Sequence, residues 1–297
     1  MFSSKQIVEC HYSRVQDIIL ASQSCQILLV NQHDPLCHIT ALTSLDHWIA
    51  IAHLNTELVH GTKQQHTTIP VFHPKPAPSR VTARSAAEFA IGQIFQLARQ
   101  LPHSNSRFEV RNKTLGIIGY GGVGVQVSSM AESLGMRVLF YDSEYVMNYG
   151  RASATPSISA LLEQSDIVSL HVPSHTRCIL SEKELFHGMK NGSYLIDTSH
   201  SAAVDRHALV MALKQGHLYG AAMDLPKTEC PSTLANGLNL LLTQNLRHAT
   251  QEVEDAVIKD VVTELLLYLD QYKATIAKHV NSDIGLEQTI PQPTLAK

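Results

Sequence analysis

Gly119-Tyr120-Gly121-Gly122-Val123-Gly124 is a G-x-G-x-x-G run, and Asp142 follows its last glycine by eighteen residues. The run sits between an apolar stretch, Leu115 to Ile118, and a helical pattern with Val125, Met130 and Leu134 on the apolar side. Val138 to Tyr141 then reads as a second short strand that ends at Asp142. Strand, glycine turn, helix, strand and acid in that order can hold a dinucleotide. Gly119 would permit the tight turn, and Gly121 would let backbone N–H groups approach a pyrophosphate. Gly124 would let the helix lie close to the sheet, with Gly122 and Val123 opening its first turn. The start of that helix adds its dipole to an anion site. Asp142 would accept from both ribose hydroxyls and repel a 2′-phosphate, which favours NAD over NADP. Tyr120 and Tyr141 flank the site. A glycine run of this kind is also found as a plain turn; the two strands and the acid are what favour the nucleotide. A Walker-type loop is excluded, since no Gly-Lys-Ser/Thr follows.

The other chemistry-bearing residues form no comparable pattern. The 17 histidines are scattered over polar stretches without H-E-x-x-H or paired ligand spacing, so no metal site is expected. The five cysteines (Cys10, Cys25, Cys37, Cys178 and Cys230) are odd in number and lack C-x-x-C, as in a reduced intracellular chain. Cys230 has no base at a useful spacing and reads as a plain thiol. A net charge of −3 gives no general attraction to nucleic acid or an anionic membrane. With no apolar run near twenty residues and no signal-peptide pattern after Met1, a cytoplasmic protein is expected.

The elements that must position the glycine run follow from periodicity. At 297 residues the chain is long enough for two domains. Residues 1–80 read as a small α/β unit: a helix over Tyr12 to Ala21, strands at Gln26 to Val30, Trp48 to Ala52 and Ile69 to Phe72, and a loop at Asn31 to Pro35. The proline-rich stretch His73 to Pro78 cannot be helix and reads as a hinge. A helix from Thr82 to about Leu101 carries Ala86, Phe89, Ala90, Ile94 and Leu97 on one face. After Asp142, short helices at Ile158 to Gln164, Glu182 to Met189 and Asp205 to Gln215 alternate with strands at Asp166 to Leu170, Ser193 to Asp197, Leu218 to Met223 and Leu238 to Leu242. Asp205 reads as a helix cap and Gly216 as a helix stop. A long amphipathic helix, Gln251 to Tyr272, precedes a polar tail from Asn281 that should fray.

Repeated β-then-α units predict an α/β fold with a doubly wound parallel sheet of the Rossmann kind, spanning 81–272. The final helix is expected to pack back toward the first unit. Ligands of such a sheet bind at the carboxyl ends of its strands. That rule places Gly119 to Gly124, Asp142, His171-Val172-Pro173, Thr198-Ser199-His200, Asp224 and Thr243 to Asn245 on one rim.

The motifs ARSAAE from Ala83, KTLGIIGYGGVG, AESLGMRVLFYD, SDIVSLHVP, GSYLIDTS, AVD and ATQE make the chain similar to the D-2-hydroxyacid dehydrogenases. The resemblance is strong from about residue 82 to 265 and faint over 1–80. It implies a smaller flavodoxin-like α/β domain beside the Rossmann domain, NAD as cofactor, a small 2-hydroxy acid as substrate, and a homodimer built around the Ala83–Leu101 helix. It also implies Asp224 as acceptor for the nicotinamide carboxamide. The C-terminal regulatory domain of many members is not expected here.

The resemblance further implies an arginine, a glutamate and a histidine as the reacting set, and this chain departs from it at two of the three. His200 stands at the arginine position, Glu229 is kept, and Asn245 stands at the histidine position. Arg247 and His248 replace two glycines, and Asn31-Gln32-His33 stands where the first domain's Arg-Ser loop would be. General acid–base catalysis contributes about 10²–10⁴ in rate, and an asparagine cannot exchange a proton near pH 7. A histidine with a reference pKa of about 6.5 is mostly neutral there and grips a carboxylate less firmly than an arginine fork. Three readings stay open at this stage. The chain is an NAD(H)-binding protein that has lost the family reaction, or a working dehydrogenase using His248 or His200 as proton donor with Arg247 as anchor, or an interaction protein without a nucleotide.

Overall fold

The structure is a computed structural model, and it describes residues 27–30, 50–53, 71–72, 80–99, 107–144, 146–173, 176–199, 202–225 and 237–281. The expected helix at Tyr12 to Ala21, the loop at Asn31 to Pro35, the His73 to Pro78 hinge, His200, Ser201, Glu229, Cys230 and the tail beyond Asn281 lie outside these residues.

The chain divides into two compact units, 1–77 with 254–297, and 78–253. In the first, β1 (Ile27–Val30), β2 (Ala50–His53) and β3 (Val71–Phe72) form a parallel sheet in that order. Ala50 and Ala52 are fully buried against Val261, Leu265 and Tyr268 of the last helix, α5 (Gln251–Asn281). Small strand residues let that helix approach closely, so part of the long helix belongs to the first unit's core.

The second unit is a seven-stranded parallel sheet in the order β10-β9-β8-β7-β4-β5-β6. Its strands are β4 (Thr114–Ile118), β5 (Arg137–Tyr141), β6 (Ser153–Ala154), β7 (Ile167–Leu170), β8 (Ser193–Asp197), β9 (Leu218–Leu225) and β10 (Leu240–Gln244). Every residue of β4, β7 and β8 is buried, as expected of strands covered on both faces. Successive side chains go to opposite layers. Leu115 and Ile117 pack with Ala90, Ile94 and Leu97 of α1 (Arg80–Arg99) and Val127 and Ala131 of α2 (Gly122–Ser133). Ile118, Val168 and Leu170 pack instead with Leu161 and Leu162 of α3 (Ile158–Leu162), Leu185 of a π-helical turn (Glu184–Gly188) and Leu209 of α4 (Arg206–Lys214).

The local signals work as their chemistry requires. Asp205 accepts from the Ala208 N–H at 3.0 Å to cap α4, and Gly216 past its end has φ of +72°. Three elements differ from the periodicity. Ser153–Ala154 is a seventh strand that hydrophobic patterning misses, because both residues are exposed and the edge pairing is purely backbone. The last strand starts two residues later than Leu238 and runs to Gln244. The segment around Glu184 winds as a π-turn.

The sheet register builds the site. Ile118 is level with Tyr141 and Leu170, Leu170 with Asp197, Asp197 with Met223, and Asp224 with Thr243. The next residue on each strand therefore emerges on the same edge: Gly119, Asp142, His171, Thr198 and Asp224.

Candidate nucleotide site

Strand β4 has β5 on one side and β7 on the other, and the chain visits them in opposite directions from it. This is the switch point where an open α/β sheet leaves a crevice for a ligand. The glycine turn fills the bottom of that crevice, and the three motif glycines have three different reasons. Gly119 has φ of +91°, and a Cβ there would fall 2.6 Å from the His171 carbonyl oxygen. A Cβ on Gly124 would lie 2.2 Å from the Gly119 carbonyl oxygen. Both glycines are required by the protein's own packing. A Cβ on Gly121 meets nothing within 4 Å. Its missing side chain leaves open space directly in front of α2, the cradle a pyrophosphate would enter. Gly121 is also the N-cap of that helix and supplies no side-chain bond to the first turn, where Gly122 and Val123 sit. Donor groups at a helix start with no side-chain cap suit an anion.

Asp142 closes one side of the turn. Its Oδ2 accepts from the Tyr120 N–H at 2.6 Å and its Oδ1 from the Glu144 N–H at 3.1 Å. The carboxylate is thus fixed by backbone donors and remains half-buried at the rim, placed for ribose hydroxyls. Tyr120 contributes that N–H alone: its ring is 1% exposed and stacks on Phe140 at 3.7 Å, with its hydroxyl on Ser128 Oγ at 3.0 Å. Burial raises its phenol pKa. Tyr120 thus flanks the turn, as its place in the sequence suggests, while its ring anchors α2 to β5 from within the core.

On the other side, His171 is held by two hydroxyls, Ser169 Oγ at 2.9 Å from Nε2 and Thr198 Oγ1 at 3.4 Å from Nδ1. Burial, and after it the charge of Arg247, depress its pKa to about 4, so the ring is neutral. Val172 lies half-buried against the core and Pro173 is exposed at the rim. Ser199 is buried, donating from N and Oγ to Asp197 Oδ1 at 2.9 and 2.5 Å. Asp197 was not singled out in the sequence; its buried carboxylate at the end of β8 accepts from the Ser199 backbone two residues on and so fixes the turn at Thr198-Ser199.

Asp224 is 1% exposed and organises the loop after β10. It accepts from Thr243 Oγ1 at 2.7 Å, the Leu246 N–H at 3.0 Å and the Arg247 N–H at 3.2 Å. Asn245 turns within this loop at φ of +54°, a left-handed conformation that asparagine tolerates, and its N–H donates to the Leu225 carbonyl at 3.2 Å. Ser85 Oγ, from α1, donates to the Arg247 carbonyl at 2.9 Å. The Arg247 side chain then runs back over the rim, and its Nη1 donates to the Thr198 carbonyl at 2.5 Å. His248 is half-buried at the approach to α5. The sequence flags Arg247 but not its destination, and it includes Ser85 in the ARSAAE motif without giving it a role. Among the described residues no cluster of three or more metal-ligating side chains occurs, and no helix is long and apolar enough to cross a membrane.

A doubly wound parallel sheet with this turn, this uncapped helix start and this acid defines a dinucleotide-binding domain. Residues 80–248 match the family model of the D-isomer specific 2-hydroxyacid dehydrogenase NAD-binding domain, and the chain belongs to that family. The chain is 40% identical over 225 residues to D-3-phosphoglycerate dehydrogenase of Escherichia coli K12, covering 68% of this chain and 53% of that one. It is 35% identical over 219 residues to D-3-phosphoglycerate dehydrogenase 2 of Saccharomyces cerevisiae, covering 64% and 46%. The motifs quoted above are thus of the phosphoglycerate dehydrogenase-like kind. The chain spans about half the length of these curated relatives. In fold it resembles a D-isomer specific 2-hydroxyacid dehydrogenase of Lactobacillus delbrueckii ssp. bulgaricus in its NAD-complexed form, with a TM-score of 0.69, 24% identity, and 87% and 88% of the two chains covered. The D-lactate dehydrogenase of Salmonella gives a TM-score of 0.68 at 22% identity, over 84% and 85%. The cofactor domain is of the NAD-binding kind, and Gly121, the first turn of α2 and Asp142 fit that cofactor.

Proposed function

We propose that this protein binds NAD(H) as a phosphoglycerate dehydrogenase-like member of its family and has lost or largely lost the family's proton chemistry. The observation that supports this reading is the contrast along one rim. On the β4–β5 side, the open Gly121 cradle and the Asp142 carboxylate are in binding order. After β10, the residue at the acid–base position is Asn245, held in a left-handed turn. An amide can donate to a carbonyl oxygen but cannot take a proton and return it, which removes a contribution of about 10²–10⁴ in rate. Bound NAD supplies a hydride acceptor; the chain's part would be to hold it and to handle the substrate's proton. With His200 at the arginine position and Asn245 at the histidine position, Glu229 would be left without its partner. The protein would then act as a cytoplasmic homodimer that senses or carries the nucleotide.

The half-buried Arg247 guanidinium at the rim favours a second reading. There it would grip the carboxylate of a small 2-hydroxy or 2-keto acid while His248 or His200 exchanges the proton. Calorimetry with NADH, followed by turnover assays on a panel of 2-hydroxy and 2-keto acids including 3-phosphoglycerate, separates the two. NADH binding without turnover is expected. Turnover that disappears in His248→Ala would establish the second reading instead.

A further inference from the structure

A dinucleotide laid across the switch point puts one mononucleotide over β4 and β5 and the other over the strands beyond it. The adenosine side is the side of Asp142. The nicotinamide side is therefore the rim of β7, β8 and β9, where His171, Thr198 and Asp224 emerge. A carboxamide arriving there needs acceptors for its two N–H groups. The chain already supplies donors to them. Asp224 takes Thr243 Oγ1, Leu246 N–H and Arg247 N–H. The Thr198 carbonyl takes Arg247 Nη1 at 2.5 Å, a charge-assisted bond of the stronger class.

The arginine is not a loose surface side chain. Ser85 of α1 donates to its carbonyl, Asp224 accepts its N–H, and its Nη1 donates to the Thr198 carbonyl at the end of β8. Backbone and side chain are thus fixed from three elements, with the guanidinium lying on the nicotinamide side.

Resting on the reading that this chain binds NAD(H), we propose that Arg247 is a specificity-determining residue that occupies the carboxamide position. The ligand class the site recognises is the adenosine diphosphoribosyl moiety, whatever stands at its far end. The pyridine ring adds little affinity, because a carboxamide N–H reaching the Thr198 carbonyl must share that oxygen with the Arg247 guanidinium or displace it. The amide of a carboxamide is neutral, so it exchanges a charge-assisted bond for an ordinary one. A pyrophosphate on Gly121 meets open space, and at Asp142 the donors already in place are backbone N–H groups, with no charged side chain lying over the carboxylate.

The test compares NADH with ADP-ribose by calorimetry on the full chain, before and after Arg247→Gly, with Arg247→Ala as a second variant. Wild type is expected to bind the two ligands within about threefold of each other. Either variant should gain about tenfold or more for NADH, while ADP-ribose stays within about threefold and so reports an intact fold. Wild-type binding of NADH at least tenfold tighter than ADP-ribose would overturn the proposal and leave the cofactor reading standing. So would variants that bind ADP-ribose normally but gain nothing for NADH. A chain that binds neither ligand would remove the cofactor reading itself, and the proposal with it.

Discussion

The Tyr120 N–H donates to Asp142 Oδ2 at 2.6 Å, so the acid that would read the ribose also fastens the glycine turn. Recognition and local structure share one carboxylate. Asp142→Ala should therefore do two things at once. NADH affinity should fall by tenfold or more, with discrimination against NADPH largely erased, as calorimetry with both nucleotides would show. Two backbone donors would also lose their acceptor, costing about 1–3 kcal/mol in a urea titration.

Gly121 and Gly124 make a matched pair. Alanine at 121 meets open space, and the backbone there (φ −78°) is available to any residue. Gly121→Ala should leave the melting temperature within a few degrees and still weaken NADH binding strongly, since the new methyl occupies the anion cradle. Gly124→Ala drives a methyl to 2.2 Å from a backbone oxygen and should lower stability by about 1–3 kcal/mol before binding is considered. Thermal melts and calorimetry on the two variants separate a glycine kept for the ligand from a glycine kept for the fold. Equal loss of stability in both would refute the distinction.

Such distinctions mark where the sequence is legible and where it is not. The G-x-G-x-x-G run, the apolar strands and the acid eighteen residues on identify the sheet and its rim, because each is a local pattern. Ser153–Ala154 escaped because an exposed two-residue edge strand is made by backbone pairing with Leu139 and Phe140, which leaves no hydrophobic trace. The direction of the Tyr120 ring leaves no local trace either. Spacing fixes where its N–H goes, but only the Phe140 partner and Ser128 hydroxyl decide where the ring goes. Arg247 is the extreme case: a long side chain chooses its acceptor 49 residues away, and no periodicity records that.

The Thr243–Asp224 contact bears on stability as well. A carboxylate 1% exposed tolerates burial only with its donors in place, and Thr243 Oγ1 at 2.7 Å is one of them. Thr243→Val keeps the shape and removes the donor. It should cost about 1.5–3 kcal/mol in chemical denaturation. Thr243→Ser, which keeps the hydroxyl, should recover most of that loss. A valine variant as stable as wild type would mean that the Thr243 hydroxyl contributes nothing to holding the buried Asp224 carboxylate.

His171 supplies a pH signature with a definite sign. Its folded pKa is depressed to about 4 by burial and by Arg247, against about 6.5 in the unfolded chain. Above pH 6.5 the ring is neutral in both states and the group adds no pH dependence. Between 6.5 and 4 the unfolded chain takes up a proton that the folded chain refuses, so stability falls as the solution is acidified; below 4 both states are protonated and this slope ends. The loss should approach about 3 kcal/mol at most, and less to the extent that solvent reaches the ring edge. Two substitutions divide the effect. His171→Gln offers the Ser169 and Thr198 hydroxyls an amide with nothing to titrate, and should flatten the stability curve between pH 6.5 and 4. Arg247→Ala removes only the cationic neighbour, and should shift the folded pKa upward and narrow the window from its acid end. Urea titrations at half-unit pH intervals would resolve both, and a wild-type curve already flat from pH 6.5 to 4 would show that the imidazole is not held neutral by this rim.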